Sequence, residues 1–190
     1  LGWQMEVARR LQAGDYALAS GLTPREFLSK LASGQVIQYR FTIVEGWNFR
    51  QLRSALQNQP KLEQTLDGLT DAEIMSRIGA SGQHPEGRFF PDTYRFTRGT
   101  SDEDLLRRAF ARLEQVLEEE WQQRARELPY KDAYQALIMA SIIEKETGVP
   151  GERGEIAGVF VRRLARGMLL QTDPTVVYGM GEPYKGRITR

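Results

Sequence analysis

The chain has 190 residues, 41% of them hydrophobic and 27% charged, enough for one sizeable domain or two small ones and far from the composition of a disordered segment. Its 26 basic and 25 acidic side chains nearly cancel, so no strong field exists to collect a polyanion, and nucleic acid is excluded as a partner on that ground. Cysteine is absent, which rules out thiol catalysis, Cys-based zinc sites and disulfides, and the single histidine, His84, sits in the loop-like string Ser81-Gly-Gln-His-Pro85. Only oxygen ligands remain for a metal, and no metal or cofactor is expected.

In chain order, Asp15 to Ala19 reads as extended, and Thr23-Pro24-Arg25-Glu26 opens a helix. The threonine caps it, proline takes the first helical position, and glutamate follows three residues after the cap. Phe27, Leu28 and Leu31 supply the buried stripe, and Gly34 marks the stop. The β-branched and aromatic run from Gln35 to Val44 predicts a strand, ended by Glu45-Gly46. Phe49, Leu52, Ala55 and Leu56 predict a helix over 48–58, and Asp71 to Ile78 a further short one. The segment from Pro85 to Phe96 mixes glycine, proline and aromatics in the manner of a structured cleft wall. A capping box from Thr100 to Glu103 opens a long amphipathic helix through Leu105, Leu106, Ala109, Phe110, Leu113, Val116, Leu117 and Trp121, with glutamates 118 to 120 on its solvated face.

Leu128-Pro129-Tyr130 breaks the chain, and Lys131 to Thr147 predicts a second long helix. Its stretch from Leu137 to Ile143 is almost wholly apolar and is expected to be buried on most sides. Gly148-Val-Pro150 stops it, and a third helix from Glu152 to Arg166 carries Ile156, Val159, Phe160, Val161 and Leu164 up to Gly167. The expected fold class is therefore α+β: a small βα unit followed by a largely helical region with short strands. No run reaches the roughly 18 apolar residues a membrane span needs, and the first residues lack the order of a signal peptide, so the chain as it stands is expected to be soluble.

Two strings carry candidate chemistry. Ile142-Ile-Glu-Lys-Glu-Thr147 places carboxylates at the end of a helix otherwise built for a core. Glu144 and Glu146 point about 200° apart, so one face cannot present both to a substrate. Each has apolar residues on its own face: Ala140 and Leu137 below Glu144, Ile142 and Met139 below Glu146. Periodicity does not choose between them. A glutamate partly desolvated by such neighbours stays protonated near neutral pH and can act as a general acid, whereas the plain structural alternative pairs both with nearby lysines or arginines. The second string, Leu169 to Gly181, is expected to form a cleft-lining loop. Gln171, Thr172, Asp173, Thr175 and Tyr178 can hydrogen-bond sugar hydroxyls and acetamido groups there, and Tyr178 adds a ring face. The plainer alternative is an Asp-Pro turn followed by a strand from Thr175 to Tyr178.

Ala140-Ser-Ile-Ile-Glu-Lys-Glu-Thr147 and Leu170-Gln-Thr-Asp-Pro-Thr-Val-Val-Tyr-Gly-Met-Gly181 closely resemble the endolytic murein transglycosylases of the YceG-like family. The resemblance extends to Val44-Glu-Gly46, Phe90-Pro-Asp-Thr93, Leu128-Pro-Tyr-Lys131, Glu152-Arg153 and Arg163-Leu164 in the family's order. It departs at Arg162, where relatives carry asparagine, and at Leu169, where they carry a basic residue. The resemblance implies a lytic transglycosylase that cleaves between N-acetylmuramic acid and N-acetylglucosamine within glycan strands and leaves a 1,6-anhydro end. It implies Glu146 as the catalytic acid and Glu144 as a supporting residue. It further implies a partial LysM-like subdomain over 1–44 and a C-terminally incomplete YceG-like catalytic domain over 45–190. Peptidoglycan strands are then the substrate and peptidoglycan synthases the expected partners. The parent protein is expected in the inner membrane, anchored by an N-terminal segment outside this sequence and facing the periplasm. Two rivals stand beside it: a muramidase using Asp173 as second carboxylate to activate water, and a glycan-binding scaffold without catalysis.

Overall fold

The first three helices among the described residues begin on reciprocal caps. In the computed structural model, which describes residues 14–180, helix α1 (Pro24–Ala32) opens with the Thr23 hydroxyl accepting from the Glu26 amide at 3.3 Å while the Glu26 carboxylate accepts from the Thr23 amide at 2.8 Å. After strand β1 (Tyr39–Thr42), Asn48 and Gln51 do the same for α2 (Phe49–Gln57), and Thr70 and Glu73 for α3 (Asp71–Arg77). Each pair satisfies amide donors that a helix start leaves without partners.

Strand β2 (Thr93–Phe96) pairs antiparallel with β1 in the register Tyr39↔Phe96 to Thr42↔Thr93, making a two-stranded sheet. Phe41, Tyr94 and Phe96 turn inward while Arg40 and Arg95, directly opposite one another, face out. The strand expected over 35–44 is cut to four residues because β2 offers a partner of only that length. The extended stretch from Asp15 to Ala19 forms no strand, although the Ile37 amide does reach the Asp15 carbonyl at 2.7 Å.

Helix α4 (Asp102–Gln122) presents Leu105, Leu106, Ala109 and Leu113 to the interior. Its cap lies one residue later than the spacing predicts, with Ser101 and Asp104 exchanging bonds at 2.8 and 3.0 Å. The described residues fall into two compact units, 14–114 and 115–180. The first holds a continuous core from Phe41 to Ala109. The aromatic segment expected to wall a cleft is ordered, but Phe89, Tyr94 and Phe96 are buried in that core, Phe89 stacking on Phe49 at 5.3 Å. Because β1 pairs with β2, the sheet joins residues on both sides of position 44 into one core.

The second unit contains α5 (Ala133–Glu146), a single 3-10 turn at Pro150–Glu152, α6 (Arg153–Ala165) and α7 (Asp173–Met180). Asp132 caps α5, accepting from the Gln135 amide at 2.9 Å. The expectation that α5 is buried on most sides is not met. Met139 is buried, Ile142 and Ile143 are half-buried, and Ile138 is 45% exposed, because α6 and α7 pack against α5 without enclosing it. Among the described residues no helix is long and apolar enough to cross a membrane. The fold is thus mostly helical with one small antiparallel sheet, in the α+β class.

Candidate active site

The two glutamates of the first string sit in the last turn of α5 and have different neighbours. Glu144 forms an ion pair with Arg153 at 2.8 Å, both side chains largely exposed. Glu146 forms no ion pair among the described residues. Its partner is Thr172, whose hydroxyl donates to the Glu146 carboxylate. The two strings that the sequence singled out are therefore joined, and the join falls on Glu146.

Along the face of α5 that carries Glu146, Met139 is buried, Ile142 is half-buried and Glu146 is exposed, so the carboxylate lies where the apolar surface runs out. The expectation that apolar neighbours desolvate it is corrected: Glu146 is the last residue of the helix, three past its apolar run, and is exposed. The next residue fixes that helix end. Thr147 is buried, its hydroxyl donates to the Glu152 carboxylate at 2.7 Å and accepts from the Val149 amide at 3.0 Å.

The second string is not a loop throughout, nor a strand. From Asp173 it is the helix α7, with Pro174 in the first turn, where its missing N–H costs nothing. The valines at 176 and 177 favour a strand on propensity, but the Thr175 hydroxyl bonds back to the Thr172 carbonyl at 2.8 Å and closes the first turn. Ahead of it, the Arg163 guanidinium donates to the Leu170 carbonyl. Between these two anchors Gln171 adopts φ 53°, the left-handed region that costs a side-chain-bearing residue about 1–2 kcal/mol.

Of the remaining expected sugar contacts, Gln171, Asp173, Thr175 and Tyr178 are exposed, Tyr178 to 66%, while Thr172 is only 3% exposed. The Thr172 hydroxyl is committed to Glu146 and the Thr175 hydroxyl to the turn. His84 lies on an exposed loop, where its ring nitrogen accepts from the Glu86 amide at 3.2 Å. Sequence reasoning missed the role of Arg163 in holding the turn and that of Thr147 in ending the helix. A basic residue in the last turn of α6 and a hydroxyl at the end of α5 were the available hints. Chemically, the arrangement offers the Glu146 carboxyl group, held by a buried hydroxyl and in no ion pair among the described residues, with the exposed Asp173 carboxyl group next to that hydroxyl in the chain.

Residues 2–190 match the model of the YceG-like family. An endolytic murein transglycosylase of Bacillus subtilis is 30% identical over 95% of this chain and 54% of its own length. One from Streptococcus pneumoniae is 26% identical over 90% of this chain and 36% of its own. The chain thus spans between about a third and a half of these relatives. A crystal structure of a YceG-like protein from Listeria monocytogenes, 28% identical, superposes with a TM-score of 0.57 over 99% of this chain and 66% of that one.

Proposed function

The chain belongs to the YceG-like family, and on that premise we propose that it carries the catalytic part of an endolytic peptidoglycan lytic transglycosylase with Glu146 as its acid and base. Relatives bearing that activity in their names support the reaction class. The observation that carries the residue assignment is the separation of the two glutamates: Glu144 is occupied by Arg153, while Glu146 meets a neutral hydroxyl and no cation in an ion pair among the described residues.

In the proposed reaction the bond between N-acetylmuramic acid and N-acetylglucosamine breaks within a strand. Glu146, protonated, gives its proton to the departing oxygen. The muramic 6-hydroxyl then attacks its own anomeric carbon and loses its proton to the Glu146 carboxylate, leaving a 1,6-anhydro end. An internal nucleophile is already in place, so no second carboxylate is needed to activate water or to form a covalent adduct. Gln171, Asp173 and Tyr178, exposed near the start of or along α7, are the groups offered to the sugar. The N-terminal part, residues 1–44, is proposed to contact glycan as a LysM-like element. The whole protein is proposed to work at the periplasmic face of the inner membrane beside peptidoglycan synthases.

The test compares the full-length protein with Glu146→Gln and Glu144→Gln on purified glycan strands. Glu146→Gln is expected to lower the rate by about a hundred- to ten-thousandfold, the usual loss for a general acid. Glu144→Gln should weaken stability more than turnover. Products with anhydro ends support the reaction, whereas ends heavier by one water point to the muramidase. Bound but uncut glycan points to the scaffold, and a wild-type rate in Glu146→Gln overturns the residue assignment.

A further inference from the structure

We propose that Thr172 is a positioning residue for Glu146, and that the left-handed backbone at Gln171 is the device that keeps its hydroxyl in place. The inference rests on Glu146 being the acid and base. Thr172 is 3% exposed, and its hydroxyl spends its proton on the Glu146 carboxylate. A buried hydroxyl needs such a partner, but nothing about burial alone requires that the partner be an exposed carboxylate on another helix. The turn that brings it there is specified on both sides: Arg163 holds the Leu170 carbonyl, and the Thr175 amide and hydroxyl hold the Thr172 carbonyl at 3.3 and 2.8 Å.

Among the described residues Gln171 is the one non-glycine residue with positive φ, at 53°. A backbone state that side chains disfavour persists where its surroundings fix it, and such states gather at functional sites. Here the consequence is geometric. Gln171 stays at the surface while the next residue turns inward to reach Glu146.

A hydroxyl suits this position for a chemical reason. A glutamate that gives up a proton and then takes one changes state within each turnover. The Thr172 hydroxyl donates to the carboxylate and, by rotating, accepts from the carboxylic acid, so it can hold the group in both states without moving. A fixed cation such as a lysine or arginine suits only the charged form.

The experiment measures kcat and KM on glycan strands for the full-length protein. Thr172→Val keeps the side chain's shape and removes the hydroxyl. It is expected to lower kcat by about ten- to hundredfold, the scale of a misplaced catalytic group, with KM within about twofold. Thr172→Ser should recover most of that loss. Gln171→Gly and Gln171→Val remove the same amide, but only glycine accepts positive φ easily. The kcat of Gln171→Val should therefore fall well below that of Gln171→Gly, and adding Thr172→Val to it should cost little more. An unchanged kcat in Thr172→Val, a loss confined to KM, or an equal loss in Thr172→Ser overturns the inference. If Glu146→Gln instead turns over at the wild-type rate, it is the parent reading that fails.

Discussion

Tyr94 shows how much one buried group sets the response of this protein to pH. It is 7% exposed, donates to the Phe90 carbonyl at 2.7 Å, and burial pushes its phenol up to about 12. In the unfolded chain the same group ionises near 10. A folded value above the unfolded one means that the stabilisation is intact below pH 10 and is lost as pH rises toward 12. The full loss is about 3 kcal/mol. Tyr94→Phe should cost about 1 kcal/mol at neutral pH, since the Phe90 carbonyl loses its donor, yet show a flatter decline above pH 10. Urea midpoints at pH 8, 10 and 11.5 check this; parallel declines for the two proteins would remove Tyr94 as the cause. At the same scale, a single hydroxyl and a single arginine give two neighbouring glutamates different partners. Residue type alone did not reveal that, because Glu144 and Glu146 differ in partners contributed by other elements.

At the scale of elements, Asp102 fastens the loop at 63–66 to the start of α4. Its carboxylate is buried and accepts from the Thr65 amide at 2.9 Å, the Thr65 hydroxyl at 2.7 Å and the Leu66 amide at 3.2 Å. The loop backbone adds the bond from the Asp102 amide to the Glu63 carbonyl at 3.0 Å. Asp102→Ala leaves the buried Leu66 amide and the two part-buried Thr65 donors without their acceptor and should cost roughly 3 kcal/mol, while Asp102→Asn, which keeps one acceptor, should lose less. Thermal melts of the two variants measure the difference, and equal losses would count against the hydrogen-bond account. Local patterns made most of this framework readable in advance. The Thr23 start, the apolar stripe of α2 and the long α4 all follow from spacing that involves residues one turn apart. Features that depend on distant partners were not readable. The length of β1 was set by β2 and the exposure of α5 by how little its neighbours cover, whereas the helical state of 173–180 was hidden by the strand propensity of Val176 and Val177. The two candidate strings were found from their residues, but their junction at Thr172 and Glu146 needed the fold.

Across the whole molecule, apolar burial is uneven. The continuous core lies between Phe41 and Ala109, whereas the unit from 115 onward buries Met139 and Phe160 and leaves Val149, Val159, Met168, Leu169, Val176 and Val177 substantially exposed. Regions with few buried apolar contacts open at lower free energy than the core, and binding sites are commonly drawn from them. The unit that carries Glu146 and Thr172 should therefore open locally while the first remains folded. Native-state hydrogen exchange is expected to show the amides of Leu56, Ile74 and Leu106 exchanging only through global unfolding, and those of Ile143 and Val159 faster by orders of magnitude. Glycan bound at Glu146 would act on the second set alone. A ligand at a hundred times its Kd stabilises the form it binds by about 2.7 kcal/mol, so strands added to the Glu146→Gln protein, on the proposed reading unable to cut them, should slow exchange at Ile143 and Val159 by roughly a hundredfold and leave Leu56, Ile74 and Leu106 little changed. Protection appearing first in the core amides would place the glycan on the other unit and remove the site from α5.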